Sequence, residues 1–164
     1  MISWRAGRPD GPLSVFGAGV VALVVAADQL AKALAEAALP LGLVIDVQPF
    51  LAFYRVHNTG IAFSMFAGSG VVLIGLMLAV TAIVVAFWLQ GGDGGRLAAI
   101  GFALILGGAF GNLIDRLRLG FVVDFLLFHV GDTTLFVFNL ADTALTFGPA
   151  VLLVVYLWPA RPDP

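Results

Sequence analysis

Residues 70–89 read GVVLIGLMLAVTAIVVAFWL and carry no ionisable side chain. A helix of about 20 apolar residues crosses the hydrocarbon core of a bilayer, so this stretch by itself fits a transmembrane span. Downstream, Gly91-Gly92-Asp93-Gly94-Gly95 reads as a tight connection into a second apolar stretch at 97–114. A third occupies 140–158, where Pro159 ends it ahead of a short tail expected to be disordered. Upstream, the stretch at 13–34 follows Arg5 and Arg8, a pattern that resembles a secretory signal peptide. No clean cleavage site follows it, and it continues into Asp28, Lys32 and Glu36 with helical spacing, so it reads as a retained first span. Residues 1–164 therefore form one integral membrane domain, an all-α bundle of four transmembrane helices with two longer segments, 35–69 and 115–139, between spans.

Composition agrees. Mean hydropathy is +1.07, and charged residues make up 11% of the chain, which excludes an ordinary soluble domain. A formal net charge of −2 offers no basic surface for nucleic acid. With no cysteine, the chain has no disulfide, no thiol nucleophile and no residue to carry a lipid thioether. His57 and His129 are too few and too far apart to suggest a metal site, and neither metal nor cofactor is expected.

The segment 35–69 is too apolar for a solvated loop. Val44–Val47 and Leu51–Val56 are β-prone with Pro49 between them, and Asn58-Thr59-Gly60 reads as a turn. Phe50, Phe53, Tyr54, Phe63, Met65 and Phe66 suit a headgroup boundary. A small β-rich subdomain lying on the bilayer is the expectation.

Polar residues are rare in this chain, and they gather. Two aspartates stand in apolar surroundings, Asp124 in Val122-Val123-Asp124-Phe125 and Asp142 closing Phe138-Asn139-Leu140-Ala141-Asp142. Ionising a carboxylate beside hydrocarbon is costly, so such a residue is retained for function and needs a partner. Four spans put both termini on one side. Asp28, Lys32, Asn58, Asn112, Asp115, Arg116, Asp124 and Asp142 then all approach the opposite side. Hydropathy alone does not require that convergence. It points to one site near one membrane surface, with Asp124 and Asp142 as a water-activating pair.

Plainer readings compete at each position. Asp28 and Lys32 lie four apart, acid first, the favoured order for a helical ion pair, and the lysine can snorkel. Gly108, Asn112 and Arg116 make one polar stripe, and Gly107 with Gly111 permits close helix packing. Asn112 still needs hydrogen-bond partners at that depth. Asp115, at the expected end of the third span, faces an unfavourable helix dipole and should pair with Arg116 or Arg118, or cap something across the bundle. Asn139 and Asp142 fit the N-cap and third positions of the fourth helix. That helix terminus favours the anion at Asp142, so a pair sharing one proton should hold it on Asp124. The cation count is tied: Arg5, Arg8, Arg96 and Arg161 on the terminal side, Lys32, Arg55, Arg116 and Arg118 on the other. Setting Lys32 and Arg116 aside as functional leans toward cytoplasmic termini.

Five motifs, in order, make the chain resemble lipoprotein signal peptidase, the bacterial type II signal peptidase. They are Asp28-Gln29-Leu30-Ala31-Lys32, Asn58-Thr59-Gly60-Ile61-Ala62-Phe63, the run from Gly107 to Arg116, Gly120-Phe121-Val122-Val123-Asp124-Phe125, and Phe138 to Asp142. Ala31, Ile61 and Phe110 depart from the family's usual residues at packing positions. The resemblance implies an aspartic endopeptidase that removes the signal peptide from diacylglyceryl-modified prolipoproteins, cutting just before the lipidated cysteine. Asp124 and Asp142 become its catalytic dyad, by similarity. Lys32, Asn58, Asn112, Arg116 and Asn139 line or brace the site, and Asp28, Gly108, Asp115 and Ala141 complete the set within the same motifs. The resemblance also implies the bacterial inner membrane, cytoplasmic termini, an extracytoplasmic β-rich subdomain and an active site toward the outer face. Its partners are the lipidated substrate and membrane lipid, and a monomer is expected. Two other readings use the same residues: a small transporter, for which the charge-free second span is unsuited, and an assembly protein whose polar groups only join helices.

Overall fold

A computed structural model describes residues 11, 14–60, 70–90 and 94–157. Phe63, Met65, Phe66, the centre of the glycine-rich connection, Trp158 and the charged termini lie outside the described residues. Four helices, α1 (Val15–Ala38), α2 (Gly70–Gln90), α3 (Gly95–Leu119) and α4 (Leu140–Leu157), are each long and apolar enough to span a membrane. Four strands, β1 (Val44–Gln48), β2 (Leu51–Asn58), β3 (Val122–Val130) and β4 (Thr133–Phe138), form one antiparallel sheet in that order. The four helices fall on the four expected apolar stretches as far as these are described. α1 runs on to Ala38, and α3 runs five residues beyond the expected end at Ile114, to Leu119.

Local chemistry sets the helix ends. Ser14 caps α1, its hydroxyl accepting from Gly17 N at 3.0 Å. α3 stops where Gly120 adopts φ +81° and returns its N–H to the Arg116 carbonyl, with Arg116 and Arg118 in the last turn complementing the helix dipole. The strands in 44–58 match their sequence pattern. Those in 115–139 were not expected. They close through Gly131-Asp132, where Gly131 takes φ +56° as a two-residue hairpin turn demands. Pairing of β2 with β3 joins the two inter-span segments into a single sheet.

α3 is the central helix. Its apolar window is 67% buried, against 11% to 17% for the other three. It packs on α1, α2 and α4. A layer of Trp88, Ala99, Phe102, Ala103 and Leu106 fills one end of the bundle. Between α3 and α4 the fit depends on missing side chains. A Cβ on Gly148 would stand 2.5 Å from Ile105 Cγ1 and 2.8 Å from the Gly101 carbonyl. On α2, a Cβ on Gly75 would meet nothing within 4 Å. Gly148→Val should therefore force the two helices apart and cost roughly 1–3 kcal/mol, the usual penalty of overpacking, whereas Gly75→Val should leave the thermal unfolding transition in detergent unchanged.

Candidate active site

The site starts from one cation in an apolar bundle. Lys32 Nζ lies 2.8 Å from Asp28 Oδ2, 2.9 Å from Asp115 Oδ2 and 2.9 Å from Asn112 Oδ1. An ammonium has three hydrogens, and all three are used. Lys32 is 3% exposed and Asp28 is fully buried. The lysine therefore braces other residues and has no donor to spare.

Each partner of Lys32 passes the constraint on. Asp28 Oδ1 accepts from Ala141 N at 2.9 Å, so α1 supplies a capping carboxylate to the first turn of α4. Asn112 points its carbonyl at Lys32, which turns its amide to donate to Asp142 Oδ1 at 2.8 Å. Asp115 Oδ2 also accepts from Val123 N at 3.1 Å, fixing the backbone directly before Asp124. Gly111 leaves room for Asp28: a Cβ there would stand 2.5 Å from Asp28 Oδ2. Gly108 does the same for α4, because its Cβ would meet the Ala141 carbonyl.

Asn139 and Asp142 form a reciprocal cap at the start of α4. Asp142 N donates to Asn139 Oδ1 at 2.9 Å, and Asn139 N donates to Asp142 Oδ2 at 3.3 Å. The Asn139 amide then reaches Asp124 Oδ1 at 2.6 Å and Asn112 Oδ1 at 3.1 Å. Asn58, at the end of β2, donates to Asp124 Oδ2 at 2.9 Å and receives Gly60 N in an Asx-type turn. Arg116 donates to the Gly60 carbonyl at 2.5 Å and so holds that turn against α3.

The two carboxylates are thus gathered around one asparagine. Asp124 is 1% exposed. Burial, then the neighbouring Asp142 charge, push its carboxyl up to about 7, against the pull of the Asn58 and Asn139 amides and of Lys32.

All eleven residues singled out from the sequence fall in this cluster or directly against it, and two details differ from expectation. Asp115 sits inside α3 and not at its end. Of its two expected roles it takes the contact across the bundle: its partners are Lys32, Gln29 and Val123 N, because α1 runs alongside that face, while Arg116 reaches the Gly60 carbonyl and Arg118 reaches Gln29. Asp124 has two amide donors that its sequence surroundings did not indicate. Gln29 was missed. It donates to Asp115 Oδ1 at 2.8 Å and to the Gly111 carbonyl at 3.2 Å, and accepts from Arg118. A polar amide between Asp28 and Lys32 on an apolar helix was the available signal. His57 lies outside the cluster, stacked on Phe121 with centroids 3.9 Å apart.

A family model described as signal peptidase (SPase) II matches residues 20–158. The chain belongs to the signal peptidase II family. The lipoprotein signal peptidase of Brucella ovis is 46% identical over 138 residues, 82% of this chain and 85% of that protein. That of Sinorhizobium fredii is 40% identical over 144 residues, 87% of this chain and 84% of that protein. Two bacterial membrane enzymes solved by the in meso method share the fold. One has a TM-score of 0.78 at 24% identity, covering 90% of this chain and 93% of its own. The other has a TM-score of 0.76 at 26% identity, covering 88% and 94%. This peptidase is a multi-pass membrane protease of the signal peptidase II type.

Removing Lys32 tests the brace. Lys32→Met leaves two buried carboxylates facing each other without a cation, which should cost about 3–5 kcal/mol. The check is unfolding of the purified peptidase in detergent.

Proposed function

We propose that this peptidase is an aspartic endopeptidase that cuts diacylglyceryl-modified prolipoproteins just before the lipidated cysteine, with Asp124 and Asp142 as its dyad. The observation that carries this reading is Asn139, whose amide bonds Asp124 while its cap ring holds Asp142. One asparagine fixes two carboxylates, and two carboxylates so placed cannot easily both ionise.

The chemistry follows from sharing one proton. The ionised carboxylate takes a proton from a water, whose oxygen adds to the scissile carbonyl carbon. The protonated carboxyl donates to the carbonyl oxygen as negative charge develops there. Proton return to the nitrogen then breaks the C–N bond, releasing the signal peptide's new carboxyl end and the amino group of the lipidated cysteine. The capped N-terminus of α4 favours the anion at Asp142, and the raised Asp124 holds the proton. Microscopic assignment belongs to the coupled pair. Lys32, Asp28 and Asp115 neutralise and position, Asn58, Asn112 and Asn139 orient the carboxylates, and Arg116 holds the turn at Gly60.

The peptidase acts as a monomer in the inner membrane, with cytoplasmic termini and the sheet outside. A single chain supplies every group of the cluster, which supports the first point. With Lys32 and Arg116 set aside as functional, more cations remain on the terminal side, which supports cytoplasmic termini. Leu41 and Leu43 just before β1, and Val44 and Phe50 on the β1–β2 hairpin, are exposed, which suits a surface resting on lipid and clasping the lipidated peptide as it enters sideways. On this reading polar substitution at Phe53 weakens processing without unfolding the bundle. The orientation is checked by Asp46→Cys, a 78% exposed position in an otherwise cysteine-free chain: a membrane-impermeant thiol reagent should label it from the outer face.

The deciding assay is cleavage of a diacylglyceryl-modified prolipoprotein by purified protein. Asp124→Asn and Asp142→Asn should fold and lose at least about a hundredfold in rate, the scale of losing a general acid or base. A fully active variant would remove that residue from the dyad. Below the lower dyad titration there is no base. Above about pH 7 Asp124 ionises and there is no acid, so kcat should fall as pH rises through that value. The Asn58 bond favours the anion, so Asn58→Ala should move that alkaline limb to higher pH.

A further inference from the structure

β2 contains one residue too many. Phe53 pairs with Leu126 on β3, yet Val56 pairs with Asp124, so Tyr54 and Arg55 together oppose Phe125. The bulge lies directly beside Asp124, and its consequence is one of parity. Beyond it, Asn58 stands opposite Val122, on the same sheet face as Asp124, and its amide reaches Asp124 Oδ2 at 2.9 Å. His57 stands opposite Val123, on the other face, where it stacks on Phe121. If the register of Phe53 ran on unbroken, His57 would oppose Val122 and Asn58 would oppose Phe121. A one-residue slip exchanges the two faces of a strand, so the histidine would replace the asparagine beside the carboxylate.

Something must hold the extra residue in place. Tyr54 continues the ladder to β1, pairing with Val44. Arg55 is the residue left over, and it is held by its side chain to the end of α1 and by its backbone to the connection that follows. Its NH1 donates to the Glu36 carbonyl at 2.6 Å, its own carbonyl accepts from Gly42 N at 2.9 Å, and it bridges to Leu41. Glu36 is in the last turn of α1, where carbonyls lack helical partners and a cation is favoured. The same helix carries Asp28 and Lys32. Bulges beside active sites serve to re-aim a side chain.

We propose that Arg55 is a positioning residue of the peptidase: by tying the bulge to the C-terminal end of α1, it keeps β2 in the register that sets Asn58, and not His57, beside Asp124. The proposal rests on Asp124 being one of the dyad. Arg55 touches neither the dyad nor the water it activates, and it acts through Asn58.

Four variants test it in the lipidated-prolipoprotein assay: Arg55→Met, Arg55→Lys, Asn58→Ala and Arg55→Met with Asn58→Ala. Arg55→Met should lower kcat on the order of tenfold, as expected for a lost hydrogen bond to a charged group. It should move the alkaline limb of the pH profile upward, as Asn58→Ala does. The double variant should match Asn58→Ala alone, because contacts acting through one another are not additive. Arg55→Lys, which still offers a cation to the Glu36 carbonyl, should return the limb to its wild-type position. Register is read independently of activity by His57→Cys with Val123→Cys in this cysteine-free chain: a short thiol cross-linker should join the pair with Arg55 present and join it poorly in Arg55→Met. An unmoved limb in Arg55→Met, a shift that adds to that of Asn58→Ala, or undiminished cross-linking overturns the proposal. Run beside these, an active Asp124→Asn overturns the dyad reading and the Arg55 role with it. An inactive Asp124→Asn with an unmoved Arg55→Met overturns the Arg55 role alone.

Discussion

The polar cluster between α1, α3 and the start of α4 depends on the Lys32 ammonium. A lone cation among apolar helices is strongly disfavoured, and it is tolerated here because Asp28, Asp115 and Asn112 take all three of its hydrogens. Those three acceptors come from two helices, so the ion cluster fixes how α1 lies along α3. Each acceptor has a second task. Asp28 caps α4, Asp115 holds the strand carrying Asp124, and Asn112 orients Asp142. Asp124 and Asp142, the proposed dyad, are thereby held in place by groups on α1 and α3, the kind of support that keeps a reactive pair in one geometry.

The cluster needs the helices close together. Gly108 and Gly111 on α3 let the α4 terminus and the Asp28 carboxylate approach to distances any side chain would block. Lipid gives helices little apolar reason to associate, so close packing and interhelical hydrogen bonds carry the association. Glycine seam and ion cluster are therefore one device: the glycines bring the backbones together, and the polar groups reward that approach.

Much of this was legible beforehand. Four spans follow from hydropathy, because a bilayer imposes a length and a composition that few other folds share. The polar residues stood out for the same reason, since 11% charge leaves few places for them to hide. The reciprocal cap at Asn139 and Asp142 was readable too, because capping is local and depends on a spacing of three. β3 and β4 were not legible. Val122–Val130 is an apolar run beside a span, and its strand character comes from pairing with β2, some seventy residues earlier in the chain. Which of its two readings Asp115 follows was not legible for a similar reason, since its partners Lys32 and Gln29 stand across the bundle on α1.

What the sequence by itself determined is the membrane architecture and the roster of chemically expensive residues, which rest on composition, periodicity and local spacing, and, through the resemblance of five motifs, the family. What only the tertiary structure decided is who faces whom: that Lys32 is a brace with no free donor, that Gln29 supports Asp115, and that a single extra residue in β2 turns Asn58 toward Asp124 and His57 away. These depend on strand register and helix approach. Register has a period of two, so one residue more or less, invisible in any motif, exchanges the face that meets the carboxylate.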